Sequence, residues 1–113
     1  MSYKIVLIVD EDNQDVARMI GRIMSQLGEY PVVAKTNLEA LGMLEPSGLA
    51  VNVLIAGGRK GLDLLIRVKM NPNLAHIRLV STSGYDLSDT AEKIGAKFIG
   101  KPFSANDLKE VLG

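Results

Sequence analysis

The chain has no cysteine and no tryptophan, only one histidine, and aromatic residues at 4% of its 113 positions. Without a thiol there can be no disulfide framework, no thiolate metal site and no catalytic cysteine, and the cytoplasm is the expected setting. An excess of one charge sign is missing too: Lys plus Arg and Asp plus Glu are both 13, a formal net charge of zero. Such a balance gives no overall pull toward nucleic acid or an anionic membrane, so neither is expected as a direct partner. Aliphatic runs such as Ile5 to Val9 fall far short of the roughly 18 residues a membrane span needs. Met1-Ser2-Tyr3-Lys4 lacks the pattern of a signal peptide. His76 has no acid or serine beside it, which leaves no catalytic pattern around the one imidazole.

What remains is the composition of a globular protein: 47% hydrophobic and 23% charged residues, in a length that suits a single domain spanning 1–113. Ile5-Val6-Leu7-Ile8-Val9 reads as a strand buried on both faces, stopped by Asp10-Glu11-Asp12. Asp12 or Asn13 caps a helix carrying Val16, Met19, Ile20, Ile23, Met24 and Leu27, and Gly28 ends it. Tyr30 to Ala34 is a second strand, placed at a sheet edge by Pro31, which has no N–H to donate. Asn37 caps a helix with Leu38, Leu41 and Leu44, and Pro46-Ser47-Gly48 breaks it. A third strand, Val51 to Ala56, runs into a basic glycine loop, Gly57-Gly58-Arg59-Lys60-Gly61, before a helix with Leu62, Leu65, Ile66 and Val68. Ile77 to Thr82 is a fourth strand ending in Ser83-Gly84. Asp86 or Ser88 opens a fourth helix with Leu87, Ala91 and Ile94. Lys97 to Gly100 is a fifth strand, and Lys101-Pro102-Phe103 leads to a last helix capped by Ser104, with Asp107 in its first turn and Leu108, Val111 and Leu112 facing inward. That helix is short, which fits a module cut from a longer protein.

Alternating strands and helices at this spacing imply parallel pairing with right-handed crossovers, hence a three-layer α/β sandwich. In such sheets function collects beyond the carboxyl ends of the strands. Those ends carry Asp10-Glu11, the glycine loop, Ser83-Gly84 and Lys101-Pro102-Phe103. The loop itself offers no acid, hydroxyl, thiol or imidazole.

Taken together, Asp10-Glu11, Ser83-Gly84 and Lys101-Pro102-Phe103 resemble the acidic pair, the hydroxyl position and the Lys-Pro-Phe turn of the response-regulator receiver domain, over the whole chain. The resemblance implies a flavodoxin-like (βα)5 fold with a parallel five-stranded sheet in the order 2-1-3-4-5. It further implies a Mg²⁺ held by Asp10 and Glu11, a phosphoryl group contacted by Ser83 and Lys101, Phe98 as the reporting aromatic and a cis bond before Pro102. The phospho-accepting position falls on Ala56. Alanine has no nucleophilic oxygen, and phosphoryl capture needs a carboxylate in line with the donor. Shifting the register to Gly57 or Ile55 supplies none either.

The expected function is therefore that of a pseudo-receiver: a non-enzymatic, cofactor-free, phosphorylation-independent interaction domain of two-component type. Its partners would be proteins, such as a histidine kinase or a downstream signalling protein, or a second copy of the chain, docking on the fourth helix, fifth strand and fifth helix. Lys101 is expected to pair with Asp10, and Asp10 with Glu11 keeps at most a residual Mg²⁺ site that lacks a third carboxylate. Two alternatives stand beside it. The loop Gly57, Gly58, Arg59, Lys60 and Gly61 could bind a phosphate-bearing small molecule through its amides and cations, or a displaced acid, Asp12 or Asp63, could accept the phosphoryl group.

Overall fold

The strands and helices come in the expected alternation: β1 Ile5–Val9, α1 Gln14–Gln26, β2 Tyr30–Ala34, α2 Asn37–Leu44, β3 Val53–Gly57, α3 Gly58–Lys69, β4 Arg78–Ser83, α4 Ser88–Lys93, β5 Lys97–Gly100 and α5 Ala105–Leu112. A 3-10 turn, Pro72–Leu74, lies between α3 and β4. The computed structural model describes residues 3–45 and 50–112, so the expected break at Pro46-Ser47-Gly48 lies outside the described residues.

The sheet is parallel throughout in the order β2-β1-β3-β4-β5, the flavodoxin-like arrangement. β1 and β3 lie at its centre and are apolar on both faces because helices cover both. Leu7, Val9, Leu54, Ala56 and Leu79 face one core, closed by Leu44 of α2, Leu62 and Leu65 of α3 and Ala91 of α4. Val6, Ile8, Val53, Ile55 and Val80 face the other, closed by Ala17, Ile20 and Met24 of α1 and by Leu108, Val111 and Leu112 of α5. Pro31 sits in edge strand β2, where its missing donor costs no ladder bond on the open side.

Local chemistry sets the helix ends. Asn13 caps α1 by accepting from the Val16 N–H, and Gly28 turns the chain out of the helix at φ 86°. Ser104 and Asp107 cap α5 reciprocally, the Ser104 hydroxyl accepting from Asp107 N–H and the Asp107 carboxylate accepting from Ser104 N–H.

Four expectations need correction. Thr36, not Asn37, caps α2, accepting from Glu39 N–H at 3.0 Å. Asn37 is the first helical residue, and the inward face is Ala40 and Leu44 while Leu38 is 80% exposed. The fourth strand includes Ser83. Most consequential, the glycine loop after β3 does not exist. Gly57 stays extended and in register with Thr82 as the last residue of β3. Gly58, at φ 72°, then turns straight into α3. Gly61 is therefore not a loop glycine: it lies one turn into the helix, buried against the strand, where a Cβ would come within 2.6 Å of the Ala56 carbonyl carbon.

Candidate functional site

Four strand ends converge on one rim. Asp10 directly follows Val9, which pairs with Ala56, so Asp10 lies level with Gly57. Ala56, expected to hold the acceptor's position, instead points into the apolar core with 0% exposure and packs beneath Gly61. Gly57 is the residue that faces the acid. A Cβ built on it would lie 2.5 Å from Asp10 Cγ and closer still to Oδ2, so the space an acceptor side chain would use is filled by the Asp10 carboxylate. A non-glycine residue there and the observed Asp10 rotamer exclude one another.

Asp10 is 4% exposed. Its Oδ2 accepts from Lys101 Nζ at 2.8 Å, in an ion pair whose side chains are 5% and 23% exposed. A carboxylate this far from water requires such a partner. Lys101 is delivered by β5, with its N–H donating to the Ser83 carbonyl at 2.8 Å, and the Lys101–Pro102 bond is cis, as the resemblance implied. Ser83 is 1% exposed, and its Oγ accepts from Tyr85 N–H at 2.9 Å within the turn that follows β4.

Glu11 turns the other way. Its Oε2 accepts from the Asn37 N–H at 2.6 Å, satisfying an open donor in the first turn of α2 and favouring the positive end of that helix. Asn37 in turn donates from Nδ2 to the Lys60 carbonyl at 2.8 Å, while Lys60 Nζ reaches Asp12 at 3.3 Å. Arg59 lies over the Tyr85 ring, 5.2 Å from its centroid. The two acids expected to share a cation are thus committed to different partners. Gly57 offers no third carboxylate, and among the described residues no group of three or more acids or histidines comes together. A hard cation such as Mg²⁺, which takes oxygen ligands and few protein contacts, does not fit this donor set.

An open cavity of about 500 Å³ tops the rim, lined by Asp10, Asp12, Asn13, Gly58, Arg59, Lys60, Ser83, Gly84, Tyr85 and Lys101. The sequence-derived residues Asp10, Ser83, Lys101, Gly58, Arg59 and Lys60 meet there. Gly61 and Phe98 do not: Gly61 is buried on the inner face of α3 against Ala56, and Phe98 is half-buried against the core on the α2, α3 and α4 face. Asp63, proposed as a displaced acceptor, is exposed on α3, and Asp12 reaches the cavity only as the partner of Lys60. Sequence reasoning placed the facing position at Ala56, with Gly57 only as a one-step shift of register, and missed Tyr85 as part of the rim. Parallel register offered the signal for the first, since the residue level with Asp10 must come one step after the partner of Val9.

No family model and no curated protein matches the chain by sequence. Solved structures do match. A CheY-like response regulator receiver domain protein from Methanospirillum hungatei JF-1 is 27% identical, with a TM-score of 0.80 over 98% of this chain and 91% of that one. A putative response regulator from Chloroflexus aurantiacus J-10-fl is 25% identical, with a TM-score of 0.81 over 98% of both chains. The response regulator TrrA from Thermotoga maritima, solved in complex with Mg²⁺ and BeF, is 20% identical, with a TM-score of 0.79 over 96% of each. The structural neighbours of this chain are CheY-like response-regulator receiver domains, and it carries their fold.

Proposed function

We propose that residues 1–113 form a pseudo-receiver: a non-enzymatic, phosphorylation-independent interaction domain of two-component signalling that acts through protein contacts. The observation that carries this reading is at Gly57. The position facing Asp10 has no carboxylate, and Asp10 occupies the space one would need. Phosphoryl transfer to a receiver requires an oxygen nucleophile in line with the donor and a cation to spread the charge. Here Asp10 is engaged by Lys101 and Glu11 by α2, so neither element is assembled. In this reading Asp10 replaces the missing acceptor as the counter-charge of Lys101, and the rim is fixed in one arrangement. The output is then set by what binds, whether a histidine kinase, a downstream protein or a second copy.

Titration of isotope-labelled protein with beryllofluoride and Mg²⁺, followed by amide shifts, tests this. The expected result is no saturable shift at Gly57, Ser83 or Lys101. Saturable shifts at those three residues would mean that a phosphoryl-like group and its cation are accommodated, and would end the proposal.

A further inference from the structure

Of the three cations around the cavity, two have carboxylate partners: Lys101 is paired with Asp10 and Lys60 with Asp12. Arg59 has none among the described residues; it has only the Tyr85 ring. It is exposed, and so is Tyr85, at 66%. On the other side of Lys60 the contact through Asn37 leads to Leu38, which is 80% exposed. The carboxyl rim thus presents a guanidinium that has no carboxylate partner among the described residues and lies against the exposed Tyr85 ring, while the exposed Leu38 follows the Asn37 that bonds the Lys60 carbonyl. An Arg held over a tyrosine is pre-oriented to receive a carboxylate by two parallel hydrogen bonds. Tyr and Arg are also the residues that most often dominate protein interfaces. The Lys60–Asp12 pair, 60% and 70% exposed, contributes little and yields readily to an incoming group.

We infer that this rim is a docking surface for a protein segment bearing an aspartate or glutamate beside an apolar side chain, with the carboxylate on Arg59 and the apolar group on Tyr85 or Leu38. The inference rests on the reading of the chain as an interaction domain and names the chemistry of its partner. It places the contact on α2, α3 and the β4–α4 turn. A partner would thereby supply from outside a carboxylate at the rim from which the chain's own acceptor is absent.

The probes are short synthetic peptides that pair Asp or Glu with Leu or Phe, their Asn and Gln counterparts, and inorganic phosphate. Each is titrated against labelled protein and followed by amide shifts. Expected are shifts confined to Gly58, Arg59, Gly84, Tyr85 and the start of α2, weakening as salt rises. The acidic peptides should bind about tenfold or more tighter than their amide counterparts, in line with loss of a charged, bidentate contact. Arg59→Ala should lose that preference with its circular dichroism unchanged, Arg59→Lys should keep part of it, and Tyr85→Ala should weaken acidic and amide peptides alike. Equal binding of acidic and amide peptides, retention in Arg59→Ala, shifts on other surfaces or no shift at millimolar peptide would overturn the inference. Tighter binding of inorganic phosphate than of any peptide at the same residues would also overturn it, in favour of a small-anion site. Phosphorylation state is read separately by mass, so a failure here and a failure of the pseudo-receiver reading are distinct results.

Discussion

At Gly57 a hydrogen is the only side chain the surroundings accept. A methyl group would lie 2.5 Å from Asp10 Cγ, and relief would require that buried carboxylate to leave Lys101. Gly57→Ala is accordingly expected to destabilise the protein by about 1–3 kcal/mol, the usual cost of overpacking, read as a lower denaturation midpoint at unchanged slope. Replacing Asp10 by Ala leaves Lys101 without a counter-charge in a half-buried place. Because Lys101 keeps some contact with water, the expected loss is about 2–4 kcal/mol, at or below the range for breaking a fully buried pair. Asp86 is a contrasting case. The Ser88 hydroxyl, and secondarily the Ser88 N–H, hold its carboxyl below the ordinary value of 3.8. Its pKa is lower folded than unfolded, so its contribution is present above the unfolded value and is lost as pH falls through the folded one. Ser88→Ala should raise the Asp86 titration midpoint toward the ordinary value, as followed by side-chain carboxyl shifts.

Among the elements, the direct passage of β3 into α3 shapes the site most. Gly58 makes the turn, and Gly61 lets the helix start flush against the Ala56 backbone. Gly61→Ala has no flexible atom to push aside, because the neighbour is the main chain of the central strand. A loss of about 2–3 kcal/mol is expected from denaturant unfolding, against the gain of about 1 kcal/mol from replacing glycine by alanine in an unobstructed helix. The strands were legible in the sequence because β-branched runs such as Ile5 to Val9 and Val53 to Ile55 have one plausible fate, and the end of α1 because Gly28 signals it locally. The α3 start was not legible. Two glycines followed by Arg and Lys have the composition of a loop, and only the register of β3 with β4 shows that Gly57 stays in the ladder. Leu38 misled in the same way: helical spacing marks it as inward, yet the cap at Thr36 sets a phase that turns it to solvent.

For the molecule as a whole, helices on both faces of one parallel sheet bring Asp10, Gly57, Ser83 and Lys101 from four strand ends to a single rim. That convergence was legible from the motifs at each strand end, and so was the Asp10–Lys101 pair. The sequence alone put the empty position at Ala56 ahead of Gly57, because both lack a carboxylate and only side-chain direction, inward for Ala56 and toward Asp10 for Gly57, separates them. Direction also separates Glu11 from Asp10, adjacent acids of which one serves an ion pair and the other a helix end. Whether this rim accepts a phosphoryl group, which the proposed function excludes, is read by intact mass after incubation with a small-molecule phosphodonor and Mg²⁺. An unmodified chain is expected. A stoichiometric acid-labile phosphate, whether on Asp10, Asp12 or Asp63, would contradict it.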